Sequence, residues 1–149
     1  MTLFNMAGHL IRRLNQMSTK VFLKRMQEAG YDLTPVQFAA LDAVWSSPGL
    51  DQAGIAAQIA YDRATIGGVI DRLEQKGLVS RTINERDRRA RSVRITDKGQ
   101  RIYEDILPIV ERLQTEILGD LTVGEQEQFL CLARKAIWSA STSISDTAE

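Results

Sequence analysis

The chain has 149 residues and a mass of 16.7 kDa, and its 19 Lys and Arg balance 19 Asp and Glu. With 44% apolar and 26% charged residues it reads as one globular domain rather than a disordered chain, and no apolar run approaches the roughly 18 residues of a membrane span. One cysteine, Cys131, excludes an internal disulfide and fits a reducing cytoplasm, and the opening MTLFNMAGHLIRRL lacks the layout of a secretory signal.

From Met6 to about Gln27, Met6, Leu10, Leu14, Met17 and Val21 recur every three or four residues, with Ile11 and Phe22 widening the stripe. This spacing predicts a long amphipathic helix stopped at Gly30. Thr34-Pro35-Val36-Gln37 then has the form of a capping box with proline at the first helical position. The helix that it opens runs to Val44 or Trp45 and turns Val36, Ala40, Leu41 and Val44 inward. Ser-Ser-Pro-Gly at 46–49 breaks it. A short helix from about Asp51 to Ile59 follows, then a turn at Ala60-Tyr61. A further helix is predicted from Asp62, as its cap, to Lys76, with Ile66, Val69, Ile70 and Leu73 inward and Gly77 ending it. Two short helices joined by a tight turn form a helix-turn-helix pattern.

Leu78–Thr82 and Ser92–Thr96 alternate β-branched and polar residues around a charged stretch, Asn84 to Arg91, which predicts a β-hairpin with a long tip. Two strands alone are marginal, so the hairpin must lean on the helices. Helix resumes near Asp97 and runs to about Leu118 with an expected kink at Pro108. Thr122-Val123-Gly124-Glu125 is a second capping box, opening a last helix that carries Phe129, Leu130, Leu132, Ala133, Ile137 and Trp138. Long apolar-striped helices at both ends of the chain are hard to satisfy in one small core. Packing against a second copy, in a two-fold homodimer, is the expected solution.

The neutral total hides a division. Residues 1–62 are balanced, residues 63–101 hold eleven basic and five acidic side chains, and residues 102–149 hold three basic and nine acidic ones. The basic middle suits a polyanion, and Arg86, Arg88, Arg89, Arg91 and Arg94 are its densest part. No catalytic set stands out, and neither a phosphate-binding glycine loop nor a His/Cys cluster with metal-ligand spacing is present. An enzyme, a metal and a cofactor are therefore not expected. A helix-turn-helix presents the start of its second helix to the major groove of double-stranded DNA. Here Ala64, Thr65 and Gly68 share the face away from the core. Thr65 suits a base edge or a thymine methyl, Arg63 a guanine or phosphate, and Arg72 the backbone. The hairpin tip becomes a basic wing, in which arginine gains from the potential of a narrow minor groove and Asp87 orients a neighbouring arginine.

Gly77-Leu78-Val79, Asp87-Arg88-Arg89-Ala90 and Ile95-Thr96-Asp97-Lys98-Gly99 resemble, in order and spacing, the winged-helix signature of the MarR family of bacterial transcription regulators. Asp71 to Lys76 is similar to the end of that family's recognition helix, and the resemblance extends from about Met6 to Trp138. It implies a mainly α fold with a small β-hairpin wing, a winged helix-turn-helix with long N- and C-terminal dimerisation helices. Residues 1–149 form one unit, with the DNA-binding lobe at 34–96 and the dimerisation helices at 6–28 and 97–140. It further implies a homodimer on a pseudo-palindromic operator, with Arg88 as the wing-tip arginine and Arg86, Asp87, Arg89 and Arg91 around it. Gly68 departs from relatives that carry a larger polar or basic side chain there, which places more of the specificity on Arg63 and Thr65.

Many members of the family are repressors released by a small aromatic acid, and the runs Leu10–Leu14 and Asp51–Val69 resemble the branch that controls aromatic-acid catabolism. Arg13, at the border of the first helix's apolar stripe, is the candidate partner for a carboxylate, and His9, one turn earlier, for a ring hydroxyl. Arg12 falls on the far side. Tyr31, Phe38 and Trp45 are candidate aromatic walls, with core packing the competing role for Phe38 and Trp45. A different small-molecule effector and an oxidant-sensing role for Cys131 are the alternatives. The apolar neighbours of Cys131 favour inert packing over sensing.

Overall fold

The computed structural model describes residues 2–83 and 91–145, and divides the chain into two compact units, Met1–Leu113 and Gln114–Glu149. Its elements follow a short 3-10 turn at Leu3–Asn5. They are α1 (Ala7–Glu28), α2 (Pro35–Ser46), α3 (Gln52–Gln58), α4 (Ile66–Gln75), β1 (Val79–Ile83), β2 (Arg91–Ile95), α5 (Asp97–Ile117) and α6 (Val123–Ser145). The division at Leu113 falls inside α5.

Local chemistry explains the helix boundaries. The capping box at Thr34 is complete: its hydroxyl accepts from the Gln37 N–H at 3.2 Å, and the Gln37 side chain accepts from the Thr34 N–H at 3.3 Å. Asp51 caps α3 by accepting from the Gly54 N–H at 2.7 Å. Thr122 and Glu125 form the reciprocal pair that opens α6, and the two Thr122 hydrogen bonds hold the Glu125 carboxyl below its ordinary pKa. Gly30 and Gly77 end α1 and α4 in the left-handed region, at φ of 84° and 74°. α5 continues unbroken through Pro108, which cannot donate the helical hydrogen bond to the carbonyl four residues back.

Two boundaries differ from the sequence pattern. α4 begins at Ile66 rather than Asp62, because the Asp62 side chain closes a separate turn by accepting from the Ala64 N–H at 2.9 Å. Only then does the Ile66 N–H bond back to the Asp62 carbonyl at 3.0 Å and start the helix. In α1 the expected core stripe is largely open: Met6, Leu10, Ile11 and Met17 are exposed, and burial begins only at Phe22 and Met26.

The core of the first unit joins Leu41 and Val44 of α2, Ile55 of α3, Ile66, Ile70 and Leu73 of α4, Val79 and Val93 of the hairpin, and Ile106 of α5. Burying one such side chain is worth about 1.5–3 kcal/mol. β1 and β2 pair antiparallel with Val79 opposite Ile95 and Arg81 opposite Val93. The other edge of β2 is covered by residues 49–51: the Val93 N–H donates to the Leu50 carbonyl at 2.8 Å, and Asp51 bridges to Ser92. That third segment supplies the support that an isolated hairpin lacks.

The Ile-Thr-Asp-Lys-Gly run acquires a physical reason in the corner where α4, β1, β2 and α5 meet. The Thr96 hydroxyl donates to the Gly77 carbonyl at 2.6 Å and accepts from the Gly99 N–H at 3.0 Å, which caps α5. The Thr96 N–H donates to the Leu78 carbonyl at 3.0 Å. A side chain at residue 99 would collide with that same carbonyl, so glycine is required there.

An aromatic group lines the α1–α2–α5 contact. Phe38 lies 6.1 Å from Phe22 and stacks on Tyr103 at 6.0 Å, and Trp45 meets Tyr103 at 5.4 Å. The Tyr103 hydroxyl donates to Asp42 at 2.6 Å. Lys76, at the end of α4, donates to the Asp32 carbonyl and, at 2.9 Å, to Gln37 Oε1, fastening the α1–α2 corner to the fourth helix.

Candidate nucleic-acid interface

Arg63, Ala64, Thr65, Gly68 and Arg72 are all exposed, while Ile66, Val69, Ile70 and Leu73 are buried, so the start of α4 turns the expected set outward. The Thr65 hydroxyl donates to the Asp62 carbonyl at 3.2 Å and keeps its lone pairs for an incoming donor. A Cβ built at Gly68 meets nothing within 4 Å, leaving a bare stretch of helix surface beside Thr65. One Asp62 carboxylate oxygen is occupied by the Ala64 N–H, which tempers an acid that would otherwise face phosphate.

Arg91 is exposed at the first position of β2, opposite Ile83, and its charge contributes to lowering the Glu74 pKa. Arg86, Asp87, Arg88 and Arg89 lie outside the described residues.

Sequence reasoning missed Arg81. It points inward from β1 and binds Glu74 at 3.0 Å, Asp71, and Gln52 Oε1 at 2.9 Å. Its hydrogen bond to Glu74 is the main cause of its raised pKa and of the lowered pKa of Glu74. The available signal was register: in Val-Ser-Arg-Thr-Ile, Arg81 shares a strand face with the buried Val79. Tyr103 was also passed over, because an i, i+3, i+4 count of aliphatic residues on α5 skips it.

The candidate ligand residues do not come together within one chain. His9 is half-buried, sits edge-on to Phe4 at 6.0 Å, and accepts at Nδ1 from Arg12 Nη2 at 3.3 Å. His9 is thus paired with the arginine expected on the far side, while Arg13 is exposed. Tyr31 lies beyond the opposite end of α1, a helix about 33 Å long at 1.5 Å per residue. There it donates to Asp105 at 3.3 Å, and burial followed by the Asp105 charge raises its pKa. Phe38 is held in the aromatic group between Phe22 and Tyr103. Within one chain Cys131 is exposed on α6 between the exposed Leu130 and Leu132. Among the described residues no helix is long and apolar enough to cross a membrane.

Comparison with known proteins adds an independent line. The MarR family model matches residues 33–90, which span α2, the helix-turn-helix and the hairpin up to its second strand. The transcriptional regulator HosA of Escherichia coli O157:H7 is 36% identical over 135 residues, covering 91% of this chain and 97% of HosA. The HTH-type transcriptional repressor NicR of Pseudomonas putida KT2440 is 32% identical over 130 residues, 87% of this chain and 81% of NicR. Among solved structures, Bordetella bronchiseptica BpsR, whose DNA binding is regulated by 6-hydroxynicotinic acid, matches with a TM-score of 0.81 at 29% identity. That match covers 89% of this chain and 93% of BpsR.

Proposed function

The chain belongs to the MarR family of transcriptional regulators, and on that premise we propose that it is a dimeric repressor released from its operator by a small aromatic carboxylate. It is a regulator and not an enzyme, and DNA binding is the activity of its family. The observation that carries the DNA reading is the outward set Arg63, Ala64, Thr65, Gly68 and Arg72 over a buried Ile66-Val69-Ile70-Leu73 face. In this reading residues 34–96 form the DNA-binding lobe. The start of α4 enters the major groove, and the arginines of the hairpin, Arg88 foremost, enter the adjacent minor groove with Asp87 orienting them.

Two-fold association is favoured by the apolar side chains left open on the terminal helices, Leu10, Ile11 and Met17 on α1 and Leu130 and Leu132 on α6. A symmetric pair would present two recognition helices to an operator with two-fold related half-sites. The segments 6–28 and 97–140 are the dimerisation helices in this arrangement, and the protein acts in the cytoplasm.

For the effector, support comes from NicR, a repressor by name, and from BpsR, a regulator whose DNA binding responds to 6-hydroxynicotinic acid. In this reading Arg13 takes the carboxylate and His9 a ring substituent. Because Tyr31 lies past the far end of α1 and Phe38 is packed between Phe22 and Tyr103, the remaining walls of that site come from other residues. By linkage, an acid that weakens DNA binding is itself bound more weakly by the DNA complex, by the same factor.

The test is a fluorescence-anisotropy titration of DNA from upstream of the protein's own gene, at fixed salt. Arg88→Ala is expected to weaken binding by roughly 1–3 kcal/mol. Hydroxylated aromatic acids, 6-hydroxynicotinic acid first, are then titrated against the complex. Release that survives in Arg13→Ala removes Arg13 from the effector site. Release by peroxide that disappears in Cys131→Ser, with no response to any aromatic acid, replaces the effector reading by oxidant sensing.

A further inference from the structure

Arg81 occupies an unusual place. β1 alternates Val79, Arg81 and Ile83 on one face with the exposed Ser80 and Thr82 on the other, so a guanidinium stands between the buried Val79 and the exposed Ile83, at the edge of the core. Its side chain is only 15% exposed. All three guanidinium nitrogens are engaged: Nη1 donates to Gln52 Oε1 at 2.9 Å, Nη2 to Asp71 and to Glu74 Oε1 at 3.0 Å, and Nε to Glu74 Oε2 at 3.5 Å. The Arg81 main-chain N–H adds a fifth bond, to Glu74 Oε2 at 3.2 Å. Gln52 opens α3, while Asp71 and Glu74 lie on α4. One side chain of the hairpin therefore holds both helices of the helix-turn-helix.

An isoleucine at this register would bury apolar area but leave the hairpin free to settle at several angles, since apolar contact is non-directional. A guanidinium fork bound on three sides fixes one angle, and lysine lacks the planar geometry to replace it. A charge drawn in from water without excellent partners is destabilising, so its presence argues for orientation rather than for stability. Arg81 also offsets part of the negative charge of Asp71 and Glu74, whose side chains stay exposed.

We propose that Arg81 is the positioning residue that sets the hairpin against the recognition helix, so that one protomer engages the major groove and the neighbouring minor groove together. This rests on the DNA-binding reading above. Arg81 works through its partners, not by touching DNA. Residues 49–51 and the Thr96 corner hold the base of the hairpin, and the Arg81 bonds to α3 and α4 fix the angle at which it leaves the DNA-binding lobe.

Arg81→Lys, Arg81→Gln and the double variant Asp71→Asn/Glu74→Gln separate this from the alternatives. Each is checked for native circular dichroism, then footprinted on operator DNA with dimethyl sulfate for the major groove and hydroxyl radical for the minor groove. The wild-type protein is expected to protect both grooves. Both Arg81 variants should keep the major-groove protection, lose the minor-groove protection, and bind about tenfold or more weakly.

The double variant gives a test of sign. It keeps Arg81 and removes two negative charges near DNA, so simple electrostatics predicts tighter binding, whereas loss of positioning predicts weaker binding with the minor-groove protection gone. Tighter binding by the double variant, or full rescue by Arg81→Lys, overturns the proposal and leaves Arg81 as an ordinary charge. Uniform loss of both protections overturns it in favour of a general role in folding. Absence of any protection by the wild-type protein overturns it together with the DNA-binding reading.

Discussion

Two glycines, Gly99 and Gly68, should respond to the same substitution with opposite signs. Both lie in the first turn of a helix, α5 and α4 respectively, without a positive φ, so alanine is the better helix former at each by up to about 1 kcal/mol. Their surroundings differ. At Gly99 a Cβ would stand well inside contact distance of the Leu78 carbonyl oxygen, 2.8 Å from its carbon and 2.9 Å from Ile95 Cγ1. The first two of these are backbone atoms, and the carbonyl accepts the Thr96 N–H, so it cannot move away without breaking the corner. Overpacking of this kind costs roughly 1–3 kcal/mol or more. Against the helix gain, the net for Gly99→Ala is a loss of about 2 kcal/mol, a drop in melting temperature of roughly 4–8 °C for a chain of this length.

At Gly68 no atom lies within 4 Å of the added carbon, so Gly68→Ala should stabilise by about 0.5–1 kcal/mol. Urea and thermal denaturation at one fixed protein concentration measure both, because association with a second copy shifts the midpoint. The packing argument is refuted if Gly99→Ala melts at or above the parent, or if Gly68→Ala lowers the midpoint. On the DNA side, the methyl of Gly68→Ala projects beside Thr65, so operator affinity should change while stability rises.

The pKa of Tyr103 is pushed up to about 12 by burial and then by its hydrogen bond to Asp42. A raised folded-state value contributes stability below about pH 10 that is lost as pH rises through about 12. A spectrophotometric titration should show one tyrosine ionising last, and Tyr103→Phe should remove that step. Glu74 behaves in the opposite sense. The hydrogen bond from Arg81 lowers its pKa below the ordinary 4.5, so the pair's contribution is present above that value and fades as pH falls through the lowered one. Carboxyl NMR should find a Glu74 midpoint that returns toward 4.5 in Arg81→Gln. Thr34→Ala removes the hydroxyl that accepts the Gln37 N–H and should cost about 1 kcal/mol in urea denaturation, with DNA contacts unaffected.

Much of this molecule follows from local chemistry, which a sequence displays directly. Thr34 with Gln37, and Thr122 with Glu125, open helices because each pair satisfies free N–H groups within a span of four residues. Gly77 ends α4 because the chain must turn left-handed there. The 3.6-residue period that buries Ile66, Val69, Ile70 and Leu73 also dictates which residues of α4 look outward. The segmental charge, basic from 63 to 101 and acidic beyond, is likewise a property of sequence alone, and it pointed to a polyanion despite a net charge of zero.

Contacts between distant segments required the tertiary structure. Arg81 reads as one more basic residue of the hairpin until its register turns it toward Gln52, Asp71 and Glu74, 29, 10 and 7 residues away. Gly99 looks like an indifferent glycine in a helix until the Leu78 carbonyl arrives from 21 residues earlier in the chain. Asp62 could cap either a helix or a turn, and in the structure it closes a turn onto the Ala64 N–H ahead of the helix that starts at Ile66. His9, Arg13, Tyr31 and Phe38 suggested one ligand site by residue type, but α1, about 33 Å long, carries His9 and Arg13 near its start while Tyr31 follows its end. Period, caps and charge depend on neighbours a few residues away. Hydrogen-bond networks, steric limits and binding sites depend on which distant segments the core brings within a few ångströms.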